Sequence, residues 1–171
     1  PPPVDTAARW LRDAARGGKR LRPALVGWSF AAHGGGDPAR VLGAAVALEL
    51  VHTCALVHDD VLDHADERRG EPTVHARFAA SHAEGWAGEP AGYGRAAAIL
   101  LGDVALAAAD GELLTAAVEP EALRRAHGAF TRLRVEMMAG QFLDVDAAAR
   151  RAADRERALR VATLKSARYS I

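Results

Sequence analysis

The stretch from His52 to Gly70, HTCALVHDDVLDHADERRG, gathers residue types that do chemistry together. Asp59, Asp60 and Asp63 follow an apolar run and precede the paired Arg68 and Arg69. At about 100° per residue on an α-helix, Asp59 and Asp63 fall about 40° apart, one turn from each other on one face, while Asp60 points away. His52 shares their stripe two turns earlier. Carboxylates this close raise one another's pKa unless a cation sits between them. A hard, oxygen-seeking ion such as Mg²⁺ resolves the conflict, and it takes one or two protein carboxylates and phosphate oxygens for the rest. Two adjacent guanidinium groups then read as phosphate clamps, because guanidinium grips phosphate oxygens in bidentate fashion. The spacing predicts a metal-bridged diphosphate site on a helix. An acidic helix end followed by basic residues also fits a solvated terminus. The apolar setting of Ala55, Leu56 and Val57 favours the first reading, since buried carboxylates without partners are expensive.

Other clusters are spread along the chain. GGKRLRP, Gly17 to Pro23, packs Lys19, Arg20 and Arg22 into four residues. Cations at a helix start oppose its dipole, so the cluster costs stability unless an anion binds there; an exposed basic turn is the plain alternative. Gly102-Asp103 interrupts an apolar helix, as close packing with a hydrogen-bonding Asp would require. In GQFLD, Gln141 and Asp144 are three apart and share a helix face. Lys19 and Lys165 are the two lysines of a chain that otherwise uses arginine for positive charge, which suits positions needing a compact ammonium. Cys54, Met137 and Met138 read as core residues.

Helices must position these groups. The chain of 171 residues is half apolar, poor in aromatics and rich in Ala, Leu and Arg, a composition that favours helix. No strand-like alternation or fixed repeat is visible, so the fold class is all-α and the length suits one domain, residues 1–171. Helices are expected over Val4–Ala15, Leu21–His33, from Pro38 to about residue 64, over Arg95–Asp110, from Pro120 to about Arg151, and over Glu156–Ile171. Residues 81–94 read as a loop. The helix carrying the carboxylates is apolar nearly all round and belongs at the centre of a bundle. Net charge is +0, which leaves no nucleic-acid footprint. A single cysteine excludes an intrachain disulfide. The apolar runs are broken by Glu49, His52 and Asp103, so no membrane span is expected.

The ordered set GGKRLRP, DDVLDHADERRG, GD, GQFLD and KSARYS resembles the trans-prenyl diphosphate synthases, or polyprenyl synthetases, of the isoprenoid synthase fold. DDxxD alone is a weak signal; followed by RRG, with GGKRxRP upstream and KSxxY downstream, it is a strong one. The resemblance implies an antiparallel helical bundle and transfer of an allylic group to isopentenyl diphosphate, with Mg²⁺ as cofactor. By position, Lys19, Arg22, His52 and Arg69 match the residues that hold isopentenyl diphosphate. Asp59 and Asp63 match the Mg²⁺ ligands, with Asp60 behind them. Arg68 matches a residue on the allylic diphosphate, Lys165 and Ser166 the pair that contacts the allylic substrate, and Gln141 and Asp144 the polar pair on the neighbouring helix, Gln141 binding substrate and Asp144 supporting metal-bound water. Asp59, Asp63 and Lys165 are thus the expected catalytic set.

The resemblance further implies a cytoplasmic homodimer. Small residues ahead of the first aspartate motif, Cys54 and Ala55, imply geranylgeranyl diphosphate or a longer product. The family carries a second aspartate-rich motif beyond the KS pair, and this sequence stops at Ile171 before it. The expectation is therefore the N-terminal part of a longer domain, incomplete on its C-terminal side and by itself poorly active. A non-catalytic partner subunit and a terpene synthase are the rival readings; the first need not keep both lysines, and the second has no use for two diphosphate clamps.

Overall fold

The computed structural model describes residues 3–152 and 154–170. The helices are α1 (Pro3–Ala14), α2 (Leu21–Ala32), α3 (Leu42–Leu62), α4 (Val74–Ser81), α5 (Pro90–Leu113), α6 (Pro120–Arg150) and α7 (Arg155–Ala162). A 3-10 turn, Pro38–Val41, leads into α3, and a π-helical turn, Thr163–Ala167, follows α7. The sequence showed no strands, yet Glu67–Arg68 (β1) and Glu71–Pro72 (β2) pair antiparallel. Backbone contacts divide the chain into two compact units. The first takes the chain up to Pro23 with Gly43–Thr115; the second takes Ala24–Leu42 and the chain from Ala116 onward.

In the first unit the core forms where Val57 and Val61 of α3 meet Val74 and Phe78 of α4 and Ala98 and Leu101 of α5. Trp10 of α1 closes it edge-on against Phe78, ring centres 4.5 Å apart. α4 was not foreseen, and α5 begins at Pro90, ahead of the expected Arg95. Gly94 explains how α5 reaches α4: a Cβ there would lie 3.0 Å from the Ala79 amide. Gly102 does the same for α3, since a side chain there would overlap the His58 ring. His58 Nε2 donates to the Ile99 carbonyl at 2.9 Å, which leaves Nδ1 to accept from the Cys54 thiol at 3.7 Å. Cys54 is buried as expected, and burial followed by the nearby Asp103 charge pushes its thiol up to about 11.

In the second unit Asp37 caps the turn into α3, its carboxylate accepting from the Ala39 amide. α7 and the π turn pack along α6. The expected uniform last helix is thus an α-helix followed by a wider turn, and Ile171 lies outside the described residues. Met137 is buried, but Met138 is exposed, contrary to its reading as core. Pro38–Leu62 is long and apolar enough to cross a membrane by length and composition, and 44% of its most apolar window is buried within the fold. Glu49 and His52 do not break it, because two polar side chains are diluted by the surrounding Ala, Val and Leu.

Candidate functional site

The three candidate carboxylates cluster at the C-terminal end of α3. Asp59 is half-buried, Asp60 buried and Asp63 exposed. α3 ends at Leu62, but the Asp63 amide still donates to the Asp59 carbonyl at 2.8 Å, so the helical turn continues through Asp63. The two carboxylates therefore keep their one-turn stacking. They offer hard oxygen donors of the kind Mg²⁺ takes when substrate phosphates complete its shell. Among the described residues no three His, Cys, Asp or Glu side chains converge as a metal-binding group.

Asp60 is turned inward, where Arg68 meets it. Arg68 Nε donates to Asp60 Oδ1 at 2.7 Å and Nη2 lies 2.6 Å from the same oxygen and 3.6 Å from Asp59 Oδ2. Burial raises the Asp60 pKa, and Arg68 acts against that shift. Arg68 is thus a partner of the aspartate cluster.

The β1–β2 hairpin holds the arginines. Its turn residues, Arg69 and Gly70, have φ of 56° and 80°, the positive pair that a two-residue hairpin requires. Thr73 N–H closes the base on the Asp66 carbonyl at 3.0 Å. Arg77 Nε braces β2 through the Pro72 carbonyl at 2.9 Å. Buried His75 bridges the two ends, 3.1 Å from Thr73 Oγ1 and 3.4 Å from Asp66 Oδ1.

Arg69 then reaches across to the glycine turn after α1. Cβ atoms on Gly17 and Gly18 would sit 3.5 Å from its Nη1. Lys19, Arg20, Arg22, His52, Glu49 and Arg69 line one cleft of 170 Å³. His52 is depressed to about 4 by burial and by Arg22, Arg69, Arg68 and Arg20, in that order. A histidine kept neutral by burial, with four cations adding to the effect, marks a place where an anion is welcome. Sequence reasoning missed the roles of Arg20 and Glu49, which pair across the cleft. Glu49 lies three residues before His52 on the same apolar helix, which was the available signal.

The second unit brings Lys165 to Asp144, Nζ to Oδ2 2.7 Å. Gln141 lies half-buried on α6 near Asp144, and Ser166 is exposed on the π turn. Lys165, Ser166 and Asp144 line a concavity of 710 Å³ along α6 and α7.

A polyprenyl synthetase family model matches residues 5–171. The chain belongs to the polyprenyl synthetase family. Family membership accounts for the motif order along the chain. Geranylgeranyl diphosphate synthase of Methanosarcina mazei is 40% identical over 141 residues, covering 82% of this chain and 38% of that protein. Heptaprenyl diphosphate synthase component 2 of Geobacillus stearothermophilus is 50% identical over 76 residues, 44% of this chain and 23% of that one. The crystal structure of geranylgeranyl pyrophosphate synthase from Corynebacterium glutamicum, complexed with isoprenyl diphosphate and magnesium, matches with a TM-score of 0.89 at 39% identity, over 99% of this chain and 49% of that one. The fold is accordingly the all-α isoprenoid synthase fold of these enzymes. The chain spans less than half the length of these relatives.

Proposed function

We propose that the protein is a trans-prenyltransferase that joins isopentenyl diphosphate to an allylic diphosphate, with geranylgeranyl diphosphate or a longer chain as product. The observation that carries this reading is the cleft in which Lys19, Arg22, Arg69 and a neutral His52 converge beside the aspartate-bearing helix. A diphosphate needs several cationic donors at once, and guanidinium groups supply them in matching geometry.

In this reading Lys19, Arg22, Arg69 and His52 hold isopentenyl diphosphate, with neutral His52 as a ring N–H donor. Asp59 and Asp63 hold Mg²⁺ at the allylic diphosphate, and the ion when bound neutralises charge on the leaving group. Asp60 anchors Arg68 in the resting site, and Arg68 turns part of its donor set to the allylic diphosphate. Lys165, Ser166 and Gln141 contact the same group, and Asp144 supports metal-bound water while orienting Lys165. The allylic C–O bond breaks and the isopentenyl double bond attacks the carbon left behind. One C–C bond forms, diphosphate leaves, and the proton lost in restoring the double bond passes to that diphosphate. Cations placed around the departing group favour this step most where charge develops. Apolar helix faces keep water from the carbocation.

We read the protein as cytoplasmic and homodimeric, with residues 1–171 as part of one helical domain. Exposed Ile99, Leu100 and Val104 on α5 support association. The likeness to a heptaprenyl synthase component supports a two-component assembly as the second reading, and sizing in solution separates them. The decisive experiment incubates the whole protein with labelled isopentenyl diphosphate and each allylic primer. Chain-extended products that vanish with a chelator and return with Mg²⁺ are expected. Failure to bind or incorporate isopentenyl diphosphate overturns the proposal.

A further inference from the structure

α6 meets the π turn at Gly140. A Cβ there would lie 2.8 Å from the Leu164 carbonyl carbon and 2.9 Å from Leu164 Cβ, with the Lys165 amide closer still. The obstacle is backbone, which cannot swing aside as a side-chain tip can. The turn sits this close because it is wide: Arg168 N–H donates to the Thr163 carbonyl at 2.9 Å, five residues back. That extra residue bulges the backbone at 164–165, the geometry often found at functional positions. Four residues along α6, on the same face, Asp144 accepts the Lys165 ammonium at 2.7 Å.

α6 therefore holds Lys165 at two points, its main chain against Gly140 and its head group at Asp144. We propose that Gly140 is a positioning residue for Lys165, setting the depth at which its ammonium meets the allylic diphosphate. Glycine in the middle of a 31-residue helix weakens that helix by about 1 kcal/mol relative to alanine. Close approach of the turn gives that weakness a use. The inference rests on the assignment of Lys165 to the allylic substrate.

The test is a double-mutant cycle in the whole protein with Gly140→Ala, Lys165→Ala and both together, reading KM for each substrate. Gly140→Ala is expected to raise KM for the allylic diphosphate by about tenfold and to leave that for isopentenyl diphosphate within about twofold. The double variant should be no worse than Lys165→Ala alone, within about twofold, because one residue acts through the other. Multiplying effects, or equal rises in both KM values, overturn the proposal. Should Gly140→Ala not fold, hydrogen exchange of amides 163–167 in the unmodified protein decides. Slowing by an unreactive thio-analogue of the allylic diphosphate and not by isopentenyl diphosphate supports it; equal or absent slowing overturns it. An unmodified protein that makes no prenyl product defeats the functional reading itself, whereas an active one with a multiplicative cycle defeats this inference alone.

Discussion

The two regions expected to face diphosphate treat positive charge in opposite ways. In the first unit Lys19, Arg20, Arg22 and Arg69 line one cleft, and burial, aided by Arg22, Arg69, Arg68 and Arg20, leaves His52 neutral down to about pH 4. In the second, Lys165 is already matched with Asp144 at 2.7 Å. The first region is an excess of charge held by backbone turns and suited to an anion. The second is a neutral pair that must open or share. A ligand entering the cleft gains interaction at once, while one approaching Lys165 competes with a carboxylate. In the proposed reading the cleft therefore contributes more to diphosphate affinity than Lys165 does, because the lysine must first share or release its carboxylate.

The largest effect is expected where neither region can compensate. Asp59→Asn in the whole protein should lower kcat by about 10²–10³-fold, the scale of losing one element of electrostatic stabilisation at the leaving group, read by steady-state product formation. Next comes the comparison itself. Arg69→Ala should weaken isopentenyl diphosphate by about 10–100-fold, the worth of a charge-assisted hydrogen bond or two. Lys165→Ala should weaken allylic diphosphate binding less than that; calorimetry on both variants measures it, and equal losses would break the contrast. A stability prediction follows for the bridge between cluster and hairpin. Arg68→Ala strips the buried Asp60 carboxylate of its partner and should destabilise the chain by about 2–3 kcal/mol, given that Arg68 is itself partly exposed, as read by urea unfolding. Burial raises the Asp60 pKa above its unfolded value, so the native state holds that proton longer. The loss in the variant should grow as pH rises through the carboxylate range.

The last effect concerns His52. Its folded value of about 4 lies below the ordinary 6.5. The unfolded chain therefore takes up the proton first as pH falls. The stability contributed by neutral His52 is complete above pH 6.5 and drains away between 6.5 and 4. Inorganic diphosphate in the cleft should raise the imidazole pKa toward its ordinary value, visible as a shifted NMR titration; an unmoved titration would mean that the anion sits elsewhere.

Much of this was legible in residue order. α3 is apolar nearly all round and α6 runs long from Pro120, and the carboxylates keep the one-turn spacing that the helix imposes. Arg69 lies against the glycine turn after α1, while its neighbour Arg68 turns to Asp60. The hairpin and α4 were not legible: two-residue strands have no alternation to detect, and eight residues between Thr73 and His82 are too few for a periodic signal. The π turn was hidden because one extra residue in a helical register leaves composition unchanged. The inward turn of Asp60 was predicted in direction, but its capture of Arg68 depends on the hairpin and could not be seen without it.

Arg69 occupies a left-handed backbone position, φ 56°, at the tip of that hairpin. A side chain there costs about 1 kcal/mol or more against glycine. Arg69→Gly would be expected to give a sturdier but less capable molecule, with a higher melting temperature and a weaker grip on anions. A screen for thermal robustness alone would drift toward that change and discard anion affinity in the process, because the main chain at this position favours a residue without a side chain.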